Sequence, residues 1–271
     1  MDKRPIGVFD SGLGGLTTVR ELMRSLPGED IVYFGDTGRV PYGTRGRDTI
    51  IKYAMQDIAF IHSFDAKAVV IACGTVSSVA HDAIAGKFDV PMIGTVKSSA
   101  ALAVSKSKTG RIGVIGTQGT INSGSFGKEI KGICPDAAVF EKACPLFVPL
   151  VENGRYRADD EVIKIIVREY LEELKHSDID TLVLGCTHYP LLTEAIGEYM
   201  GSDVTLINSG AAAVSQLDEL LNVTEKRSGK SDGGTYSFYV SDSVDSFEKY
   251  ASMFLGRSVC GSVARIEIEK Y

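Results

Sequence analysis

The sequence predicts an α/β protein of two pseudosymmetric parallel-sheet domains with its site in the cleft between them. Three observations carry that prediction. Short β-branched runs alternate with helical patterns, the signature of parallel strands joined by helices. Ile6-Gly7-Val8 is echoed by Ile112-Gly113-Val114, each followed by a Ser/Thr/Gly-rich turn. Each unit then yields an apolar run ending on a cysteine, Ile71-Ala72-Cys73-Gly74-Thr75 and Leu184-Gly185-Cys186-Thr187-His188, at nearly the same separation. Three echoed residues alone are within chance, but two landmarks at nearly equal offsets point to duplication.

The elements follow in chain order. Ile6 to Asp10 reads as the first strand, and Leu16, Val19, Leu22, Met23 and Leu26 then recur at helical spacing. Ile31 to Asp36 is a strand, 48–63 a helix, and Ala68 to Cys73 a strand. The Ser/Lys/Ala-rich stretch from Thr95 to Gly110 reads as a crossing point between halves. Arg111 to Thr117 and Thr181 to Cys186 are strands, separated by an amphipathic helix marked by Val162, Ile165, Ile166, Tyr170, Leu171 and Leu174. Helices are expected over 193–200 and 211–221, and the polar Gly/Ser/Lys stretch 228–234 reads as a loop. Tyr236 to Val240 and Val263 to Ile268 are the last strands, flanking a helix over 244–254 that Gly256 closes. The crossing gives a first domain of 1–97 plus 208–271 and a second of 98–207.

Composition narrows the function classes. Lys and Arg number 29 against 35 Asp and Glu, a net charge of −6, so there is no basic footprint for nucleic acid or an anionic membrane. No apolar run approaches the roughly 18 residues that span a bilayer. Met1-Asp2-Lys3-Arg4-Pro5 leads into a strand rather than a signal sequence, which makes the cytoplasm the expected location. The 5 cysteines form no CxxC pair and suit free thiols in a reducing compartment. Gly12-Leu13-Gly14-Gly15 lacks the spacing of a dinucleotide turn, and Gly229-Lys230-Ser231 lacks the upstream glycine of a P-loop.

In open α/β sheets ligands bind at the carboxyl ends of strands. Asp10-Ser11-Gly12, Cys73-Gly74-Thr75, Thr117-Gln118-Gly119-Thr120 and Cys186-Thr187-His188 all fall there. Hydroxyls and Gly-rich N–H groups suit the carboxylate of a small anionic substrate. A free thiol, with a pKa of about 8.5, is mostly protonated at neutral pH and suits a site where one sulfur donates a proton and another accepts one. Cys134, Cys144 and Cys260 read as packing. Asp10 and His188 are the nearest groups that could move a proton to or from the paired thiols. The plainer readings are a helix cap for Asp10 and a loop tie for His188. Cys73, Cys186, His188 and Asp10 could instead supply four ligands to zinc, so a metal-assisted hydrolase is an alternative that spacing leaves open.

Taken in order, Asp10-Ser11-Gly12-Leu13-Gly14-Gly15-Leu16, Gly35-Asp36-Thr37, Pro41-Tyr42-Gly43, Ala72-Cys73-Gly74-Thr75, Ile115-Gly116-Thr117 and Gly185-Cys186-Thr187-His188-Tyr189-Pro190-Leu191-Leu192 resemble the glutamate racemases along essentially the whole chain. The resemblance implies a cofactor-independent, metal-free isomerase that interconverts L- and D-glutamate for bacterial peptidoglycan, with pairing into a homodimer. It implies Cys73 and Cys186 as the two acid/base groups, Asp10 assisting Cys73, and Glu152 and His188 assisting Cys186. It further implies that Asp10, Ser11, Tyr42, Gly43, Gly74, Thr75, Thr117, Thr187 and His188 hold the substrate. Glu152, in Leu150-Val151-Glu152-Asn153-Gly154, carries no signal apart from the resemblance. Two positions depart from the family's pattern. Gly74 stands where Asn is common, which predicts weaker glutamate binding and a lower KM for Gly74→Asn. Asn208 stands where Asp is usual, an expected change at a hinge rather than in the chemistry. An aspartate or broad-specificity racemase, and a relative that only binds an amino acid or a protein, are the other readings.

Overall fold

The computed structural model describes residues 1–259 and 261–271. The chain opens with β1 (Ile6–Asp10), α1 (Leu16–Ser25), β2 (Ile31–Gly35), α2 (Arg47–His62), β3 (Ala68–Ile71), α3 (Gly74–Val79), α4 (His81–Ile84) and β4 (Met92–Gly94). α5 (Thr95–Lys106) leads to β5 (Arg111–Gly116), α6 (Gln118–Asn122), α7 (Ser125–Ile133), β6 (Ala138–Ala143), α8 (Phe147–Glu152), α9 (Glu161–Lys175), β7 (Thr181–Leu184), α10 (Thr193–Met200) and β8 (Thr205–Asn208). α11 (Ser209–Val223) returns to β9 (Tyr236–Val240), α12 (Val244–Leu255) and β10 (Val263–Arg265).

Every residue of β1, β2, β3 and β7 is buried, as expected of central parallel strands covered on both faces. The strands form two sheets, ordered β10-β9-β2-β1-β3-β4 and β6-β5-β7-β8, and all their pairings are parallel. The run β2-β1-β3-β4 has the same order as β6-β5-β7-β8, so the echo of Ile6-Gly7-Val8 in Ile112-Gly113-Val114 is a repeated topology. β9 and β10 extend the first sheet beyond β2.

Several expected elements end differently. The strands drawn through Cys73 and Cys186 stop at Ile71 and Leu184, which leaves both cysteines on the turns that follow. β10 stops at Arg265, and Ile268 begins a short 3-10 turn with its buried side chain against α2. Ile165, assigned by spacing to the buried stripe of α9, is 58 % exposed; Ile163, Val167, Leu171 and Leu174 form that stripe. Gly256 closes α12 in a left-handed conformation, as expected. Cys144 is buried and Cys134 half-buried, both as free thiols, while the reading of Cys260 as packing lies outside the described residues.

The crossing stretch is helical. α5 follows β4 and α11 follows β8, each carries the chain from one sheet to the other, and the two pack against one another. Asn208 caps α11, its Oδ1 accepting from the N–H groups of Gly210 at 3.0 Å and Ala211 at 3.2 Å. An Asp would accept the same two bonds, so this departure from the family's pattern preserves the hinge contact. No helix among the described residues is long and apolar enough to cross a membrane.

Candidate active site

The carboxyl ends of the two sheets meet. Cys73 follows β3 and precedes α3, whose first residue is Gly74; Cys186 follows β7. A Cβ built on Gly74 would lie 2.1 Å from the Gly185 carbonyl oxygen and 3.7 Å from the Cys186 Cα. The two cysteine-bearing turns are thus in backbone contact. On the other flank, a Cβ on Gly14 would lie 2.2 Å from Thr187 Oγ1 and 2.6 Å from His188 Nδ1. Hydrogen bonds cross the same seam. Thr75 Oγ1 is 3.0 Å from Thr117 Oγ1, Thr17 Oγ1 donates to the Thr187 carbonyl at 2.9 Å, and the Gly119 N–H donates to the Gly43 carbonyl at 3.0 Å.

The two thiols have different company. Cys186 Sγ lies 3.8 Å from His188 Nδ1, and His188 Nε2 is 2.9 Å from Glu152 Oε1. Burial disfavours an imidazolium there, but the hydrogen bonds to Cys186 and Glu152 outweigh it and raise the His188 pKa to about 10. The two partners thus favour the protonated ring, in which both nitrogens donate, one toward Cys186 and one toward Glu152. Phe254 of α12 packs edge-on against its ring at 5.2 Å.

Among the described residues, the groups acting on Cys73 include no cation. Its Sγ donates to Ser11 Oγ at 3.5 Å, and burial, reinforced by the Asp10 carboxylate, pushes the thiol up to about 12. Asp10 is itself buried, which raises its pKa, while the His188 charge and the N–H groups of Gly12 and Gly15 act the other way. The Gly12 N–H donates to its Oδ2 at 2.9 Å and Thr187 Oγ1 to its Oδ1 at 3.5 Å. Asp10 thus ties the Gly12 turn and reaches across to the second half; it is not the cap of α1, whose capping position is Gly15 with no side-chain bond.

Most residues the sequence singled out lie along this seam, and the surroundings of two of them limit what they can offer a ligand. Tyr42 points elsewhere: its buried hydroxyl donates to Asp36 Oδ2 and lies 3.1 Å from Asp57 Oδ2, so its main chain is what it can offer a ligand. Gly74 leaves no space for the side chain whose absence was expected to weaken binding, because any Cβ meets the Gly185 carbonyl. This crowding argues against the expectation of a lower KM for Gly74→Asn. Two further contributors were not singled out as site residues, Gly14 within the glycine-rich turn after β1 and Phe254, which has no local signal in the sequence. Gly14 is needed for the approach of His188, and Phe254 arrives from the last long helix. Among the described residues no three His, Cys, Asp or Glu side chains converge as a metal site, so Cys73, Cys186, His188 and Asp10 do not form the ligand set that a zinc hydrolase would need.

Two thiols on equivalent turns of a duplicated α/β unit, brought to one seam by the contact of those turns, have the arrangement expected of an enzyme that moves a proton at a small substrate. The comparisons agree. The family model for Asp/Glu/Hydantoin racemase matches residues 11–217. A glutamate racemase of Geobacter metallireducens is 42% identical over 269 residues, covering 99% of this chain and 98% of that protein. A glutamate racemase of Streptococcus gordonii is 44% identical over 269 residues, covering 99% and 100%. The crystal structure of glutamate racemase from Francisella tularensis in complex with D-glutamate superposes with a TM-score of 0.92 at 36% identity, covering 100% of both chains. The chain belongs to the Asp/Glu racemase family, and it is an amino-acid racemase whose relatives of matching length are glutamate racemases.

Proposed function

We propose that the protein interconverts L- and D-glutamate through Cys73 and Cys186, and so supplies D-glutamate for peptidoglycan in the cytoplasm. The observation that carries the reading is the pair of cysteine turns in backbone contact, one thiol beside a His188 whose protonated form is favoured and the other beside Ser11 and Asp10. The relatives' activity and the D-glutamate in the Francisella structure support glutamate as the substrate.

In one direction the Cys186 thiolate, stabilised by the His188 imidazolium, takes the Cα proton of glutamate. The C–H bond breaks, an S–H bond forms, and the electron pair delocalises into the substrate's α-carboxylate. The Cys73 S–H then delivers its proton to the opposite face of Cα, and configuration inverts. The reverse reaction exchanges the roles. In that direction Cys73 must first lose its proton, and the substrate ammonium is the cation that can offset the burial of its thiolate. Hydroxyls of Ser11, Thr75, Thr117 and Thr187, with the main chain of Gly43 and Gly74, are suited to the two carboxylates. Fixed donors in a water-excluded cleft stabilise charge developing beside a carboxylate, usually the largest single contribution to such catalysis.

The two sheets support the domain division at 97/98 and 207/208, with α5 and α11 as the connecting helices. Pairing of two chains belongs to the same proposal and is read by sedimentation. The catalytic assignment is tested by circular dichroism of L- and D-glutamate with the metal-free protein. Both signals should decay to zero, and Cys73→Ser or Cys186→Ser should each slow the decay about 100- to 10,000-fold, the range for loss of a general acid/base. Decay of aspartate in preference to glutamate would favour the aspartate reading, and loss of activity with a chelator the metal one.

A further inference from the structure

The loop between β2 and α2 carries a closed set of buried charged and polar groups. Asp36 Oδ2 accepts from Arg39 Nε at 2.6 Å and from the Tyr42 hydroxyl, and Asp36 Oδ1 accepts from Ser241 Oγ at 2.7 Å. Arg39 Nη2 donates to Asp57 Oδ1 at 2.8 Å and Nη1 to Gln56 Oε1 at 2.6 Å, while its guanidinium lies 4.2 Å from the centre of the Tyr53 ring. Asp57 Oδ2 is 3.1 Å from the Tyr42 oxygen. Asp36 and Asp57 are both fully buried.

One cation faces two carboxyl groups, and one phenol proton faces two carboxyl oxygens. A tyrosine hydroxyl donates once, so it cannot serve both Asp36 and Asp57. Two buried anions against a single guanidinium would also leave one negative charge without compensation. Both counts close if Asp57 holds a proton. The chain then runs from the Asp57 O–H to the Tyr42 oxygen, and from the Tyr42 O–H to Asp36, which carries the charge balanced by Arg39. The Asp57 carbonyl oxygen still accepts from Arg39. Burial first, then the neighbouring Asp36 charge, moves Asp57 in the same direction, well above the usual carboxylate range.

This set lies against the site. The Asp36 N–H donates to the Asp10 carbonyl at 3.0 Å, and the loop then passes through Gly43, whose carbonyl accepts from the Gly119 N–H of the second half. A Cβ on Gly43 would come within 3.0 Å of Thr117.

We infer that Asp36, Arg39 and Tyr42, completed by an Asp57 that carries a proton at neutral pH, are positioning residues that hold the Tyr42–Gly43 segment against Thr117 and so set substrate affinity. The KM part rests on the glutamate-racemase reading; the proton assignment does not.

Two variants with the same chemical change separate the partners. Asp57→Asn reproduces the protonated acid: its oxygen accepts from Arg39 and its N–H donates to Tyr42. Asp36→Asn removes the anion that, with Asp57 protonated, balances Arg39. Asp36→Asn is expected to raise KM about tenfold or more with kcat changed less than about threefold, whereas Asp57→Asn keeps KM within about twofold. Melting curves of the two variants and the parent protein from pH 5 to 8 give a readout independent of activity. An Asp that stays protonated only when folded makes the parent less stable as pH rises above its unfolded value near 3.8, so the Asp57→Asn melting temperature should gain on the parent's across this range. A melting temperature of Asp57→Asn that falls as far as that of Asp36→Asn, with no gain toward pH 8, overturns the proton assignment. An Asp36→Asn protein that melts lower but binds glutamate with unchanged KM overturns the positioning role. If the parent does not racemise glutamate, the functional reading and the positioning role both fall, and the melting curves still decide where the proton is.

Discussion

His188 and Gly74 are the residues whose surroundings most constrain how this enzyme works. The His188 pKa is raised from 6.5 to about 10 despite its burial, because Cys186 and Glu152 both accept from it. A group raised on folding contributes stability that is complete below its unfolded value and is lost as pH rises through the folded one. The melting temperature of the parent should therefore fall between about pH 7 and 10, and a His188→Gln variant should lose part of that slope; equal slopes would contradict the assignment. At Gly74, any side chain meets the Gly185 carbonyl, so the two cysteine turns must part to admit it. Overpacking of this kind typically costs about 1–3 kcal/mol, and Gly74→Asn is expected to raise KM about tenfold. A lower KM in steady-state assays would mean that the turns separate freely. The paired cysteines were legible in the sequence because each follows an apolar run of the repeat, and His188 because it stands two residues past Cys186. Glu152 was not, since it lies far from them in the chain and its carboxylate is 43% exposed. The engagement of the Tyr42 hydroxyl with Asp36 and Asp57 was not legible, because these partners come together only in the fold.

At the scale of elements, the central strands were readable because burial on both faces demands continuous apolar runs, as in Ile31–Gly35 and Ala68–Ile71. β6 carries no such run: it is an edge strand with every residue only half-buried, and β4 and β8 are three and four residues long. α3, α6 and α8, of five or six residues, are too short to show a helical period. α5 and α11 matter most, because they alone carry the chain between the sheets and they pack on each other. The cap on α11 gives a test at this scale. Asn208→Ala removes the acceptor for two N–H groups and should cost about 1 kcal/mol, or about 2–4 °C in Tm. Asn208→Asp keeps that acceptor and adds a favourable charge at the helix start, so its Tm should equal or exceed the parent's. A thermal scan in which both substitutions lower Tm equally would show that the cap is not what Asn208 provides.

For the whole molecule, the duplication that the sequence hinted at is visible as one strand order used twice, with the thiols on equivalent turns. The halves meet through hydrogen bonds, the glycine contacts at the cysteine turns, the His188–Phe254 ring contact and the packing of α5 on α11, so a substrate entering between the thiols must part the site end of this seam. Solution scattering with and without D-glutamate should give distinguishable profiles, the liganded one more compact. Superimposable profiles would argue for a fixed cleft. The central claim, that two thiols share one proton-transfer cycle from opposite faces, is tested most directly by running L- and D-glutamate separately in D2O and weighing both enantiomers at low conversion. The account predicts that early product carries one deuterium at Cα in each direction, because the proton is delivered by a thiol that has exchanged with solvent, while unreacted substrate carries none. Product without deuterium, or deuterium appearing first in recovered substrate, would mean that one group both removes and returns the proton, and the two-thiol account would be wrong.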